Sequence, residues 1–201
     1  VILGTDPAFA FLADRARRAG ASVTAFGVGD DPRPAGADRM VRAVDLKQAS
    51  WGTVATVETP WGRGRLDVRI PGVFNVLNAV AAIAATGPLD VPLDIALPAI
   101  ATVDALPGRM MRIDEGQPFS VVVDFAHTAD SLANVLREMR GRTSGRVIVV
   151  FGAAGERDRA KRPEMGRVAA MHADFAILTD EDPRFEDREA ILNDIAAGAV
   201  G

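Results

Sequence analysis

The sequence predicts a mixed α/β fold in two units, and three observations predict it. Residues 119–201 alternate short apolar runs with helical stretches three times, residues 53–70 hold two alternating strands about a turn, and Pro107-Gly108 separates these textures. Apolar residues make up 48% of the 201 and charged residues 25%, enough for a core in each unit. In order, residues 1–4 read as the end of a buried strand. A helix follows, with Asp6 as N-cap and Pro7 at its first position, and ends at Gly20. Residues 22–26 read as a strand, 27–36 as a loop, and 39–44 and 53–58 as further strands. Thr59-Pro60-Trp61-Gly62 supplies a turn before residues 63–70, where Leu66, Val68 and Ile70 alternate with polar neighbours, so a hairpin is expected. Residues 75–86 form an Ala-rich helix closed by Gly87-Pro88, and 94–102 form a second. Beyond Gly108, strands 119–124, 146–151 and 175–179 each precede a helix, at 130–140, 163–171 and 187–197. Nearly all-apolar strands in βα succession predict a parallel sheet covered by helices on both faces.

Composition excludes several functions. There is no Cys, so thiol catalysis, disulfides and Cys-based zinc sites are ruled out, and two His residues are too few for a histidine-rich metal site. The net charge of −4 argues against a nucleic-acid surface. No apolar run approaches a membrane span and no basic leader opens the chain, so the protein is expected to be cytoplasmic. No G-x-x-x-x-G-K-[ST] loop occurs, and neither of the two lysines, Lys47 and Lys161, follows a glycine-rich turn, so the chain lacks a triphosphate cradle of its own. Because Val1 opens directly on strand-like residues without Met, a fragment of a longer protein is expected.

Ligands in open parallel sheets sit beyond the carboxyl ends of the strands, and three clusters lie there. In Asp124-Phe125-Ala126-His127-Thr128, an Asp closing a strand with a His after it suits a ribose or phosphate; equally, Thr128 or Asp130 would simply cap the next helix. In Gly152-Ala153-Ala154-Gly155-Glu156-Arg157-Asp158, glycines allow amides near an anion and Arg157 can grip a carboxylate, or the segment is a solvated loop. In Thr179-Asp180-Glu181-Asp182-Pro183-Arg184, acids suit an ammonium and Arg184 a carboxylate, or the segment is a surface turn. Asn75 and Asn78 share one face near a helix start; one can cap, leaving the other for a purine edge.

Together, Phe74-Asn75-Val76-Leu77-Asn78-Ala79, Pro107-Gly108-Arg109-Met110, Val123-Asp124-Phe125-Ala126-His127-Thr128, Gly155-Glu156-Arg157-Asp158 with Lys161-Arg162-Pro163, and Asp182-Pro183-Arg184 recur in this order in the Mur ligase family. The chain resembles most the MurE-type ligases, which add the third residue of the peptidoglycan stem to a UDP-MurNAc-dipeptide. The resemblance implies that residues 1–108 are the latter part of a central ATP-binding α/β domain. Residues 109–201 would be most of a C-terminal Rossmann-like domain with a mostly parallel sheet. It also implies that the phosphate loop, the acid that binds Mg²⁺ and the modified lysine precede Val1, and that a last stretch of the C-terminal domain is missing.

In such ligases ATP phosphorylates a carboxylate and an amine attacks the acyl phosphate, with positioning and charge neutralisation doing most of the catalysis. By similarity, Asn78 would meet the adenine, Arg109 the phosphates and Asp124 the ribose, with His127 nearby. Arg157, Glu181, Asp182, Pro183 and Arg184 would bind the incoming amino acid. The resemblance thus implies ATP, Mg²⁺, a UDP-MurNAc-dipeptide and a diamino acid as partners, and no catalytic residue in this stretch. The sequence departs from the family at Phe125, often Tyr, at Ala129, often Pro, and at Asp182, usually Asn in the diaminopimelate enzymes. Arg184 favours a distal carboxylate and Asp182 an ammonium, so diaminopimelate, lysine and ornithine stay open. Alternatives are a folylpolyglutamate synthase, a ligase of the cyanophycin synthetase type, or a non-catalytic MurE-like module that binds nucleotide or amino acid.

Overall fold

The alternating N-terminal segments assemble into one five-stranded sheet in the computed structural model, which describes residues 1–199. Strands β1 (Ile2–Leu3), β2 (Thr24–Val28), β3 (Arg39–Gln48), β4 (Thr53–Thr59) and β5 (Gly62–Val68) lie side by side in chain order. The first three pair in parallel, with helix α1 (Phe9–Arg18) as the crossover from β1 to β2. β3–β4 and β4–β5 are antiparallel, and the expected hairpin keeps its register from Thr59 opposite Gly62 to Thr53 opposite Val68. β3 runs past the expected end at Val44 because a bulge absorbs Asp45, at φ 53°, and pairing resumes at Lys47.

Successive side chains of β2 and β3 point to opposite faces. Ala25 and Met40 pack with Phe9 and Ala13 of α1, whereas Phe26, Val41 and Ala43 pack with Val76, Val80 and Ile83 of helix α2 (Val73–Thr86). Each fully buried branched side chain of α2 contributes about 1.5–3 kcal/mol, which holds the helix to the sheet. Helix α3 (Leu93–Ala101) adds Leu93 and Leu97 to the same core. Two helix starts differ from expectation. The N-cap of α1 is Ala8, and Asp6 instead closes the preceding turn, its carboxylate accepting the Ala8 N–H at 2.7 Å. The N-cap of α2 is Gly72, so neither Asn75 nor Asn78 serves there.

Strand β6 (Met111–Ile113), which carries no apolar run in the sequence, pairs antiparallel with β7 (Val121–Val123). The chain divides into two compact units after Val123. The second contains α4 (Ala129–Arg142), β8 (Ile148–Phe151), α5 (Lys161–His172), β9 (Phe175–Leu178) and α6 (Arg188–Ala199). Of the three strands expected in parallel here, β8 and β9 pair in parallel, and β7 is bonded to β6. Leu132 and Leu136 of α4, Met165 and Val168 of α5, and Ile191 and Ile195 of α6 share one core with Val147 and Phe151. The other face of β8–β9 leaves Ile148, Val150, Phe175 and Ile177 exposed, so helices cover one face among the described residues where two were expected.

Both units use the same device where parallel strands begin. Asp38, just before β3, donates its N–H to the Val23 carbonyl and accepts the Val23 N–H on its carboxylate at 2.7 Å. Asp174, just before β9, does the same with Val147, also at 2.7 Å. An arginine of an earlier helix pairs with each carboxylate, Arg17 of α1 with Asp38 and Arg140 of α4 with Asp174. The Val23 amide and Arg17 lower the Asp38 pKa, and Arg140 and the Val147 amide lower that of Asp174.

Candidate functional site

In the first unit, Asn75 lies in the first turn of α2 and is buried. Its side-chain amide donates to the Pro71 carbonyl at 2.7 Å, and its Oδ1 accepts from Nδ2 of Asn78 at 3.4 Å. The pair therefore divides its work: Asn75 ties the helix to the Pro71-Gly72 entry, and Asn78 presents its amide at the exposed surface. Farther along, the Arg109 N–H donates to the Leu106 carbonyl at 3.0 Å across Pro107 and Gly108. Gly108 takes φ 67°, the left-handed value that the third residue of a type II turn requires and that favours glycine. Met110, the next residue, is buried, while the Arg109 side chain is exposed.

In the second unit, residues 124–128 turn from β7 into α4. The Asp124 carboxylate accepts the Ala126 N–H at 2.9 Å, and the His127 ring is held by the Phe125 carbonyl at 3.0 Å and by the Phe125 ring at 5.0 Å between centroids. Thr128 caps α4 in a reciprocal capping box with Ser131, so the capping role open to Thr128 or Asp130 falls to Thr128. Asp124, half-buried, and His127, exposed, precede the cap.

The loop 152–158 and the turn 179–186 follow the neighbouring parallel strands β8 and β9, and so emerge side by side. They are bonded together: the Gly155 N–H donates to the Asp182 carbonyl at 2.8 Å. A Cβ on Gly155 would lie 2.7 Å from the Pro183 carbonyl carbon, so only glycine allows this approach. Glu156 and Arg184, one from each segment, have φ of 53° and 51°, a conformation that costs a non-glycine residue about 1–2 kcal/mol. Arg157 is exposed beside Glu156, and Arg184 reaches Asp182 at 3.5 Å. Arg188 pairs with Asp180 at 3.0 Å. Arg157, Glu181, Asp182, Pro183 and Arg184 thus come from two segments that meet, with cations and carboxylates interleaved, a surface suited to a zwitterion.

Sequence reasoning missed the group behind these segments. Arg162, 1% exposed, pairs with Glu186 through both terminal nitrogens, each at 3.1 Å, and with Asp194 at 3.0 Å. Glu186 also accepts the Glu156 N–H and pairs with Arg159. Arg162 and the Glu156 amide push the Glu186 pKa from 4.5 down to about 2. One signal for this group is legible: a cation in the first turn of a helix opposes the helix dipole and calls for carboxylate partners. Lys161, its neighbour in sequence, points elsewhere and donates to the His127 carbonyl at 2.7 Å, because consecutive helical residues diverge by about 100°. No three His, Cys, Asp or Glu side chains among the described residues converge as metal ligands. No described helix is long and apolar enough to cross a membrane.

The two units, an N-terminal mixed sheet and a C-terminal pair of parallel strands packed with helices, define a two-unit α/β protein. Residues 1–86 match the Mur ligase middle domain and residues 108–201 the Mur ligase glutamate ligase domain, and the chain belongs to the Mur ligase family. It is 47% identical over 178 residues to a UDP-N-acetylmuramyl-tripeptide synthetase of Roseiflexus sp., covering 84% of this chain and 35% of that protein. It is 38% identical over all 201 residues to a UDP-N-acetylmuramoyl-L-alanyl-D-glutamate–2,6-diaminopimelate ligase of Bacillus licheniformis, covering 39% of it. The structure of Mycobacterium tuberculosis folylpolyglutamate synthase complexed with ADP and AMPPCP superposes with a TM-score of 0.77 at 21% identity, over 98% of this chain and 43% of that one. That likeness is of fold alone. The chain spans about a third to two-fifths of the curated relatives it matches.

Proposed function

We propose that this chain forms the amino-acid side and part of the nucleotide side of an ATP-dependent ligase. The ligase would join a diamino acid, 2,6-diaminopimelate first among candidates, to UDP-MurNAc-L-Ala-D-Glu. The observation that supports this most is the meeting of the loop 152–158 with the turn 179–186, which presents Arg157 and Arg184 beside Asp180, Glu181 and Asp182. Arg184 would take the distal carboxylate of the amino acid, Arg157 a second one, and Glu181 and Asp182 the ammonium. Pro183 holds the backbone of that turn.

On the nucleotide side, the exposed Asn78 amide would read the adenine edge and Asp124 the ribose, with His127 beside it, while Arg109 would approach the phosphates. We place the boundary between the two family domains at 108/109, the first ending in the Pro107-Gly108 turn. When bound, ATP and Mg²⁺ supply phosphoryl transfer to the dipeptide carboxylate. The described residues offer no cluster for Mg²⁺, and we assign the metal to none of them. The part of this chain is to bind and orient the amine.

The test is ADP release by the complete ligase that carries this sequence, with each substrate omitted in turn and the amino acid varied among diaminopimelate, lysine and ornithine. Release that needs both the UDP-MurNAc-dipeptide and one diamino acid supports the reading; release that needs neither overturns it. The 201-residue chain alone is expected to release no ADP.

A further inference from the structure

We propose that Arg162 and Glu186 are a positioning pair that sets the affinity for the incoming amino acid without touching it. This rests on the reading of Arg157 and Arg184 given above. Three observations support the inference. First, Arg162 is a buried cation at the start of α5 whose forked head spans Glu186, before α6, and Asp194, on α6. A fork that bonds two carboxylates in different directions fixes its own orientation and theirs, which the point charge of a lysine cannot do.

Second, Glu186 connects the two segments that carry the arginines. It accepts the N–H of Glu156, the residue before Arg157, and stands two residues after Arg184. Its own N–H donates to the Pro183 carbonyl at 3.0 Å, closing the turn that contains Arg184. Third, Glu156 and Arg184 are both held at left-handed φ, a conformation that persists only where the surroundings enforce it. The Glu186 carboxylate supplies that enforcement at Glu156, and the turn it closes supplies it at Arg184. Arg162 in turn keeps Glu186 in place, and bonds the Ala154 carbonyl at 3.4 Å from the same head. Both cationic segments therefore hang from one buried ion pair, whereas the loop 124–128 is reached by the neighbouring Lys161 instead.

The experiment measures KM for the amino acid, for ATP and for the UDP-MurNAc-dipeptide in the complete ligase, for the wild type and for Glu186→Gln, Glu186→Asp and Arg162→Lys, with the melting temperature of each. Glu186→Gln removes the charge and turns one of the two acceptor oxygens into an N–H donor, so that either the Glu156 amide or the Arg162 head loses its acceptor. It is expected to raise the amino-acid KM about 10- to 100-fold with the other two KM values within about twofold. Arg162→Lys, which keeps charge without the fork, is expected to shift the same KM in the same direction. Glu186→Asp, which keeps the charge on a shorter stem, is expected to recover part of the loss. Equal rises in all three KM values, or a lowered melting temperature with an unchanged amino-acid KM, would overturn the assignment, as would failure of all three variants to fold. If the wild type releases ADP without any amino acid, the underlying reading fails before the variants are compared. If the wild type behaves as proposed and the KM values do not separate, the positioning pair alone fails.

Discussion

The contact between the loop 152–158 and the turn 179–186 can be opened by a single methyl group. Gly155→Ala places a Cβ 2.7 Å from the Pro183 carbonyl carbon and nearer still to its oxygen, where real Cβ atoms keep at least 3.0 Å. The obstacle is backbone on both sides, so no side-chain rotation relieves it. The two segments must part by about 1 Å, stretching the 2.8 Å hydrogen bond from Gly155 to Asp182. A misplacement of about 1 Å in a binding site costs on the order of 10²-fold in rate. In the complete ligase, Gly155→Ala is therefore expected to lower kcat/KM for the amino acid by about two orders of magnitude, with the KM for ATP within a few-fold. A control is Gly141→Ala in α4, where an added Cβ meets nothing within 4 Å and higher helix propensity favours Ala by up to about 1 kcal/mol. Amino-acid saturation curves from an ADP-release assay, with a thermal melt of each variant, decide the matter. An unchanged kcat/KM for the amino acid in a folded Gly155→Ala protein would refute the claim that this contact aligns the two arginines.

Three further outcomes are expected. Arg157→Ala and Arg184→Ala should each raise the amino-acid KM far more than the ATP KM, since a lost charge-assisted pair costs about 1.5–3 kcal/mol; equal effects on both substrates would remove these residues from the amino-acid site. Asp38, Asp174 and Glu186 all have lowered pKa values in the fold. Their stabilisation is complete above their ordinary values of 3.8 to 4.5 and is lost as the pH falls through the folded values, about 2 for Glu186. The melting temperature should drop steeply between pH 4.5 and 2, and Asp38→Asn and Asp174→Asn should flatten that drop; parallel curves would exclude these two residues as its source. Ile195→Ala empties a fully buried position between α5 and α6 and should cost about 2–5 kcal/mol by denaturant titration; a loss below 1 kcal/mol would mean that the helices close over the cavity.

Elements with strong periodicity were legible in the sequence: the β4–β5 hairpin, helix α2, and the succession of α4, β8, α5, β9 and α6 all lie within a few residues of their expected places. The misses have separate physical causes. β6 consists of Met111, Arg112 and Ile113, too short for a period to register, and is a strand because β7 offers its backbone. The bulge at Asp45 is a backbone event with no composition signal beyond an Asp able to take positive φ. Helices on both faces of β8–β9 were expected because apolar strands ordinarily mean two covered faces. The chain instead leaves Ile148 and Val150 on the uncovered side, a distinction that side-chain type alone cannot make. At the candidate site, the strand-end positions of Asp124, Arg157 and Arg184 followed from βα order, but the partners of Arg162 lie 24 and 32 residues away and no local pattern links them.

That long-range pairing gives meaning to a compositional bias with no evident role in the sequence alone. Of the 23 basic residues only Lys47 and Lys161 are lysines, and three positions that tie two acceptors together use the arginine fork. Arg162 spans Glu186 and Asp194, Arg140 bonds Asp174 and the Gly145 carbonyl, and Arg42 bonds Glu58 and the Asp31 carbonyl. In each case one head satisfies a carboxylate and a second acceptor on a different segment, which a planar group with five donors does at fixed angles. Desolvation explains why this matters most at Arg162. A buried cation with one partner removed costs about 3–5 kcal/mol, and Glu186, Asp194 and the Ala154 carbonyl share the task of preventing that. The same demand fixes the loop geometry: carboxylates that must stay beside a buried guanidinium cannot wander, and neither can the backbone of Glu156 and the turn of Arg184 that depend on Glu186. Local order at the proposed amino-acid site is thus a consequence of neutralising one buried charge.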